Sequence, residues 1–410
     1  MQKKIISDGI AQSYIKVHRN LDFLYSSIPR ISRNQLNAEL KNIYQQAKNV
    51  GIYFDQQAEI KIGEVIVKFL PLINFLQQQQ KKVFVVEPSH IYLTELAEAC
   101  KDVTLINTNK RLAEKIDLLL SMSVYPCGMT KEYSKLLPSQ KIIDIRHLAR
   151  NVGELWPNHA SQTYIYLLSG LAGIKYFPVL PAELEITVKD LLSAKQKLHD
   201  TLMKKPKFFQ DTYKKWKNST NFIFNPGVGV TNKVHYQQLR QWHKNNFIEL
   251  GKMLLDNYPG SNVFIYKRIE SEAIADDIYK TLHKYFTGRT YIFMRHPFRQ
   301  SINMPELIAL MKDIINVAIS PDTSFMHLSA AGNIPTIGIF GPTDVRQWGA
   351  LSSDPKNVLL IENNSCNSKS VNADEAICLR YGCEKSCIDE ISPQAIFNAL
   401  PYFLKRNNDD

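Results

Sequence analysis

Short, nearly continuous apolar runs alternate along the chain with longer segments whose apolar residues recur at helical spacing. In the first half, Val83–Val86, Val103–Ile106 and Leu118–Leu120 are compact apolar or β-branched runs, typical of strands buried on both faces of a parallel sheet. Helices are predicted between them, over Tyr92–Cys100 and Arg111–Lys115. This alternation of strand and helix predicts an α/β fold with a parallel sheet.

A second set of alternating elements follows the lysine-rich stretch 204–217. Its predicted strands, separated by helical patterns, are Phe222–Phe224, Val263–Tyr266, Tyr291–Phe293, Val317–Ile319 and Thr336–Phe340. The chain is therefore predicted to contain two α/β domains, one over residues 57–200 and one over residues 201–410.

The first 56 residues have a different pattern. They are polar, and Leu36, Leu40 and Ile43 recur at helical spacing, which predicts a helical N-terminal extension over residues 1–56. The next segment, residues 60–76, predicts a short strand, a turn at Gly63 and an amphipathic helix. We therefore place the start of the first domain after residue 56.

Composition adds a charge argument to this picture. The 410 residues include 50 Lys and Arg against 39 Asp and Glu, a formal net charge of +11, which favours an anionic partner such as nucleic acid, a membrane surface or a phosphorylated substrate. No apolar run reaches the ~18 residues of a membrane span. Asp8, Gln12 and Lys16 interrupt the segment that a signal peptide would need to be apolar. These features predict a cytoplasmic protein with reduced cysteines.

The most informative stretch begins where a predicted strand ends, at Ser320, and continues as P-D-T-S-F-M-H-L-S-A-A-G. Asp, Thr and Ser are natural helix caps, and the free N–H groups of a helix start can hold a phosphate. The alternative is an ordinary cap followed by a structural histidine. The candidate residues at this edge of the sheet, including the small turn after the next strand, are Asp322, Thr323, Ser324, His327 and Gly341.

This stretch resembles the signature of glycosyltransferase family 9, the ADP-heptose:lipopolysaccharide heptosyltransferase family, with its D-T/S-G-x-x-H-x-A-A helix start and F-G-P-T turn. The segments beginning at Asn225 (N-P-G-V-G-V), Arg240 (R-Q-W) and Ile62 (I-G-E-V-I-V) are similar to other family motifs. The resemblance covers roughly residues 58–400 and is most specific in the carboxyl-terminal half.

The resemblance implies the GT-B fold, in which two Rossmann-like domains face each other over a cleft. It implies inverting transfer of heptose from ADP-heptose, with no metal ion or other cofactor in the chemical step. The acceptor implied is the lipopolysaccharide core, which places the enzyme at the inner face of the inner membrane, on an anionic surface. No nucleic acid is expected as a partner.

The resemblance also assigns catalytic roles. Glu64 matches the general base, where the family usually has Asp, and the longer side chain would shift the carboxylate by about one bond. A glutamate favoured by the dipole at a helix start is the structural alternative. Arg240 matches the basic residue that stabilises the departing diphosphate, and Lys233 is a nearby alternative.

Donor-binding roles follow by position. Asp322 would position sugar hydroxyls or the backbone cradle, while the diphosphate would lie on Thr323, Ser324 and His327; Ser324 stands where Gly is more usual. Asn225 and Gly227 belong to the phosphate-facing loop, and Glu270 or Glu272 matches an acidic residue that contacts the ribose. Lys267 and Arg268 stand where small residues are commoner, a departure that bears on donor identity.

The cysteines form a second constellation. Four of the six are spaced C-x11-C-x4-C-x3-C in a loop over 366–387, and in a reducing compartment four clustered thiolates favour structural zinc or iron. Free thiols and a disulfide are the alternatives, because the spacing contains no C-x2-C pair. The candidate ligands are Cys366, Cys378, Cys383 and Cys387.

Three other functions stay open. The cysteines and the N-terminal extension favour a protein Ser or Thr as acceptor, as in the autotransporter heptosyltransferases. Glu64 and Ser324, as departures from the family pattern, favour a catalytically silent GT-B scaffold. The lysine-rich stretch 204–217, with interleaved aromatic residues, favours nucleic-acid binding, although no nucleic-acid recognition motif accompanies it.

Overall fold

The computed structural model describes residues 15–19, 38–53, 62–86, 91–106, 115–121, 141–145, 160–174, 179–202, 206–228, 239–268, 271–294, 302–363 and 386–404. Its strands are β1 Ile15–Arg19, β2 Asn49–Tyr53, β3 Lys82–Val86, β4 Val103–Ile106, β5 Leu118–Ser121, β6 Ile142–Asp144, β7 Asn221–Phe224, β8 Asn262–Lys267, β9 Thr290–Met294, β10 Val317–Pro321, β11 Thr336–Phe340 and β12 Val358–Asn363. Its α-helices are α1 Ala38–Gln46, α2 Ile62–Gln78, α3 Ile91–Ala99, α4 Ala160–Ala172, α5 Val188–Leu202, α6 Pro206–Lys217, α7 Lys244–Asn257, α8 Glu272–Tyr285, α9 Met304–Ile314, α10 Ser324–Ala331, α11 Val345–Trp348, α12 Pro393–Ala399 and α13 Pro401–Leu404.

The chain forms two compact units. One comprises Leu21–Glu185, and the other comprises Met1–Asn20 together with Ile186–Asp410. We call them the first and the second unit.

The first unit is built on a parallel sheet with the strand order β4-β3-β2-β5-β6. Helix α2 packs on this sheet through fully buried side chains such as Phe69, Leu72 and Phe75. Gly51 in β2 lies where an added Cβ would be 2.7 Å from the end of the Ile116 side chain, so a larger residue in this central strand would require the neighbouring side chains to shift. The order along the sheet reverses between β2 and β5.

The second unit contains a sheet with the order β1-β12-β11-β10-β7-β8-β9. All neighbouring strands are parallel except β1, which pairs antiparallel with β12. Strands β7, β10, β11 and β12 are buried along their whole length, which is why their sequences are nearly continuous apolar runs. Counting outward, β7-β8-β9 proceed one way and β10-β11-β12 the other, so the strand order reverses between β7 and β10.

The structure confirms the predicted α/β class and the predicted strands near Val83, Val103 and Leu118 and in the second half. It adds strands that the sequence analysis missed. β2 (N-V-G-I-Y) and β12 (V-L-L-I-E-N) have the same short apolar pattern as the predicted strands and could have been found by it.

The predicted helical extension over 1–56 is corrected. Helix α1 lies within it, but β2 is the central strand of the first sheet and β1 is an edge strand of the second, so this region contributes to both sheets. Gly63 lies inside α2, not in a turn before a helix. Helical spacing in a polar segment did not reveal the two short strands, whose partners are distant in sequence.

The predicted domain boundary at residue 200 is also corrected. The second unit resumes at Ile186, because α5 packs against α9 with Ala194 and Leu198 buried. The Lys197 ammonium lies 2.7 Å from both carboxylate oxygens of Glu306 at the start of α9. This ion pair, buried on its Glu306 side, attaches α5 to the second unit.

Candidate functional site

The candidate site lies at the carboxyl ends of β7 and β10, where the strand order of the second sheet reverses. In open α/β sheets this reversal leaves a crevice in which ligands bind. Asn225 directly follows β7, and its backbone N–H donates to the carbonyl of Ile319 in β10 (3.0 Å). Asp322 directly follows β10, so the predicted motif stands at this position of the sheet.

Helix α10 begins at the site. Thr323 is its N-cap, with an extended backbone and a side-chain oxygen that accepts from the backbone N–H of Met326 at 3.4 Å. The remaining N–H groups of the first turn carry the positive end of the helix dipole. The predicted cap, and the helix start that it positions, are confirmed by this geometry.

Asn225 organises the cap. Its Nδ2 group donates to the hydroxyl oxygens of Ser320 (3.0 Å) and Thr323 (2.9 Å) and to the carbonyl of Gly227 (3.3 Å). Asn225 is 2% exposed, so these bonds are made away from water, where polar groups need partners. Its amide nitrogen therefore joins the end of β7 to the start of α10.

Asp322 and Arg240 form the charged centre of the site. Arg240 Nη2 lies 3.0 Å from Asp322 Oδ2, and the same nitrogen donates to the Asp322 carbonyl oxygen. The side chains are 17% and 7% exposed, so the pair is largely shielded from solvent. The guanidinium is fixed just before the N-terminus of α10.

His327 contacts the other carboxylate oxygen of Asp322. Its Nε2 lies 3.5 Å from Asp322 Oδ1, and the ring is buried. Burial would raise the pKa of the Asp322 carboxyl, but the charge of Arg240 and the contact with His327 outweigh it and hold that pKa below its ordinary value. Asp322 is therefore a carboxylate whose charge Arg240 balances.

Arg268 is a residue of the site to which the sequence analysis gave no role. It directly follows β8, and its Nη1 lies 3.5 Å from the hydroxyl of Ser324, the first residue of α10. Arg268 and Ser324 both stand where smaller residues are more usual in the family, and the structure places their side chains in contact. The sequence could have indicated this position, since Arg268 follows a predicted strand of the same sheet.

Glycines allow close approach around the site. A Cβ at Gly227 would lie 2.6 Å from the Cβ of Ser271, and a Cβ at Gly338 would lie 2.6 Å from Met326 Sδ in α10. A Cβ at Gly341 would lie 2.7 Å from the Cβ of Ile388 and 3.1 Å from its backbone nitrogen. The space beside Gly341 is therefore filled by Ile388.

The structure does not bring all predicted residues to the site. Glu272 is the first residue of α8, and its carboxylate lies 2.7 Å from Lys267 Nζ and is 59% exposed. Glu64 is in the first turn of α2, but its side chain lies outside the described residues. Outside them altogether lie Lys233, Glu270, Cys366, Cys378 and Cys383.

Cys387 is the predicted metal ligand that the structure describes. It is half-buried and is the first residue of a short 3₁₀ helix, Cys387–Glu390. Within the described part of the chain, no group of three His, Cys, Asp or Glu side chains could hold a metal ion. In those same residues, no helix is both long and apolar enough to cross a membrane.

Comparison with known proteins identifies the family. The model of "Glycosyltransferase family 9 (heptosyltransferase)" matches residues 149–377, more than half of the 410-residue chain. The chain belongs to glycosyltransferase family 9. The matched range contains the Arg240–Asp322 pair and the whole start of α10, so the family resemblance predicted from the sequence is confirmed.

Solved structures of this family share the fold. A family 9 glycosyltransferase from Veillonella parvula is 14% identical, with 87% of this chain and 98% of that chain covered at a TM-score of 0.59. The ADP-heptose lipopolysaccharide heptosyltransferase II of E. coli is also 14% identical, with 88% and 99% covered at a TM-score of 0.57. The two parallel α/β sheets are thus those of the GT-B fold, as predicted. Among curated proteins, no match was found.

Proposed function

We propose that this family 9 glycosyltransferase transfers heptose, with inversion, from ADP-heptose to a hydroxyl group of the lipopolysaccharide core. The observation that carries the proposal is the Arg240–Asp322 pair at the N-terminus of α10, where the order of the strands reverses. A nucleotide diphosphate needs such a combination of helix N–H groups and a fixed cation. Family membership supports the reaction class.

The diphosphate is the leaving group, so the site must stabilise charge that grows as the glycosidic bond breaks. Arg240 supplies a guanidinium whose position is set by Asp322 before the donor binds, and fixed charges need little reorganisation during reaction. Arg268 and Ser324 add a second cation and a hydroxyl at the same helix start. We assign the diphosphate to these groups and to the backbone of α10.

Four residues support the donor site, namely Asp322, Thr323, His327 and Asn225. Most of their polar side-chain atoms contact one another or Arg240, although His327 Nδ1 has no hydrogen-bond partner among the described residues, and each of the four residues is buried. In this proposal they hold the helix start and Arg240 in place, rather than each contacting the donor through its side chain. Gly227 allows its backbone to pass close to Ser271, and its carbonyl accepts from Asn225.

The acceptor step needs a base. We propose that Glu64 removes the acceptor hydroxyl proton while the oxygen attacks the anomeric carbon and the bond from that carbon to the diphosphate breaks. Its helix follows β2, at the point where the strand order of the first sheet reverses, which is where this fold places ligands. A carboxylate at the start of a helix is also favoured by the dipole.

Several finer assignments remain predictions. Glu270 is the proposed ribose contact, since Glu272 is paired with Lys267 at the start of α8. Lys233 is a proposed further cation for the diphosphate, and Gly341 shapes the neighbouring turn. We propose transfer chemistry without a metal cofactor, and a structural zinc or iron at Cys366, Cys378, Cys383 and Cys387.

A protein Ser or Thr is the second candidate acceptor, favoured by the four cysteines within one loop. The net charge of +11 favours the lipopolysaccharide core, because its phosphates and the surrounding leaflet are anionic. We therefore propose a cytoplasmic location at the inner face of the inner membrane. Transfer assays with purified lipopolysaccharide core and with a Ser/Thr-containing acceptor protein distinguish the two.

Calorimetric titration tests the donor site. We expect the protein to bind ADP and ADP-heptose in preference to UDP-glucose and GDP-mannose, and Asp322→Ala and Arg240→Gln to weaken that binding. Asp277→Ala is the control, since Asp277 is an exposed acid that pairs with Lys244 on α7. Preference for UDP or GDP would contradict the donor assignment, and absence of nucleotide binding by the wild type would indicate a silent scaffold.

A further inference from the structure

The segment that carries Arg240 is attached to a turn near the carboxyl terminus, Ser386–Ile391, which we call the anchor turn. Three hydrogen bonds join them. The backbone N–H of His243 donates to Asp389 Oδ1 (2.7 Å), Trp242 Nε1 donates to the carbonyl of Ile391 (2.9 Å), and the Ser386 hydroxyl donates to the carbonyl of Leu239 (3.4 Å). These bonds lie on both sides of Arg240 in sequence.

The anchor turn is itself held by the sheet. Asn363, the last residue of β12, donates from Nδ2 to the carbonyl of Cys387 (2.8 Å) and to Glu390 Oε2 (2.7 Å). Ile388 is 1% exposed and packs against Gly341 after β11, where no side chain would fit. The turn is therefore a fixed support between the edge of the sheet and the Arg240 segment.

The Asp389 carboxylate lies beside the first residues of helix α7. His243 is the N-cap of the 14-residue helix α7, so the Asp389 carboxylate lies at the positive end of that helix. Burial raises the pKa of Asp389, and the His243 N–H opposes this effect. A half-buried carboxylate is costly unless it is hydrogen-bonded, and here its partners are the backbone N–H of His243, three residues after Arg240, and the Ser386 side chain.

We propose that Asp389 is a positioning residue of the donor site: by holding the His243 N–H, it fixes the Leu239–His243 segment so that Arg240 meets Asp322 and the donor diphosphate. This inference rests on the proposed function, because it concerns Arg240 as a diphosphate ligand. Asp389 acts through Arg240 and needs no contact with the donor.

A double-mutant cycle tests it, with ADP affinity as the readout. We expect Asp389→Ala to weaken ADP binding by about tenfold, since small displacements of a positioned group are costly. Asp389→Asn keeps an oxygen acceptor for the His243 N–H and should restore most of the affinity. In an Arg240→Gln background, Asp389→Ala should cause little further loss. Asp277→Ala, which removes the partner of Lys244 at the start of the same helix, is the matched control and should leave affinity unchanged.

Equal losses from Asp389→Ala in the wild-type and Arg240→Gln backgrounds would overturn the inference, as would unchanged affinity in a folded Asp389→Ala variant. If Asp389→Ala does not fold, Trp242→Phe removes the bond to Ile391 and is read in the same cycle with the same criteria. A wild-type protein that binds no nucleotide would overturn the proposed function and this inference together. ADP binding that depends on Arg240 but not on Asp389 would overturn the inference alone.

Discussion

Arg240 and Asp322 lie 82 positions apart in sequence, and their side chains meet at 3.0 Å beside the start of α10. The carboxylate stabilises a largely buried guanidinium, and the guanidinium is thereby held at the place where we propose that the diphosphate binds. Loss of either residue should affect both the stability of the second unit and its affinity for nucleotide.

Asp322→Asn is expected to lower the free energy of unfolding by about 3 kcal/mol at pH 7, because it leaves the buried Arg240 charge without its carboxylate. Chemical denaturation monitored by circular dichroism measures this. Asp277→Asn, in which the lost ion pair with Lys244 is exposed, should unfold almost like the wild type. A similar, small effect of both substitutions would show that the Arg240–Asp322 pair is not a buried ion pair in solution.

The contribution of Asp322 to stability should disappear in acid. Its pKa is lowered in the folded state, so below about pH 4 the unfolded chain takes up a proton that the folded protein binds less readily. The stability conferred by the carboxylate is therefore complete above that pH and falls as the pH drops through the lower folded pKa. The difference in unfolding free energy between wild type and Asp322→Asn should be constant from pH 5 to pH 8 and shrink towards pH 3. A difference that stays constant to pH 3 would contradict this.

Arg268→Ala should weaken ADP binding by about fivefold, since it removes a cation beside Ser324 at the start of α10. The loss should be larger at low ionic strength than at high ionic strength, because salt screens a partly exposed charge. Lys252→Ala makes the same change of charge on α7, beside the ring of Tyr285, and should not alter the affinity. Equal effects of the two substitutions would show that Arg268 influences ADP binding only through the net charge of the protein.

Gly341→Ala should destabilise the protein more than Gly338→Ala. At Gly341 the new methyl group meets the Cβ and the backbone nitrogen of Ile388, neither of which can move without displacing the anchor turn. At Gly338 it meets the ends of the Met326 and Leu360 side chains, which can adjust. We expect a cost of about 2 kcal/mol for Gly341→Ala, the usual range for overpacking. Thermal unfolding of the two variants gives the order, and the reverse order would contradict it.

Much of this molecule was predictable from the sequence alone. Strands buried on both faces of a parallel sheet must be nearly continuous apolar runs, so β3, β7, β8, β10 and β11 are visible in the sequence. The cap at Thr323 is equally local, because an N-cap is defined by residues within one turn of it. The same local rule applied at β2 and β12 would have found both strands.

Tertiary structure decided the rest, because the partners involved are far apart in sequence. Local patterns do not encode that β1 pairs with β12, or that the order of the strands reverses beside β7. The contact between Arg268 and Ser324 spans 56 positions, and the support of Arg240 by Asp389 joins the middle of the chain to its carboxyl-terminal part. The sequence by itself determined the sheet-forming runs, the helix start and the family. Only the packed sheet placed two arginines beside one helix N-terminus and attached the anchor turn to the segment that carries Arg240.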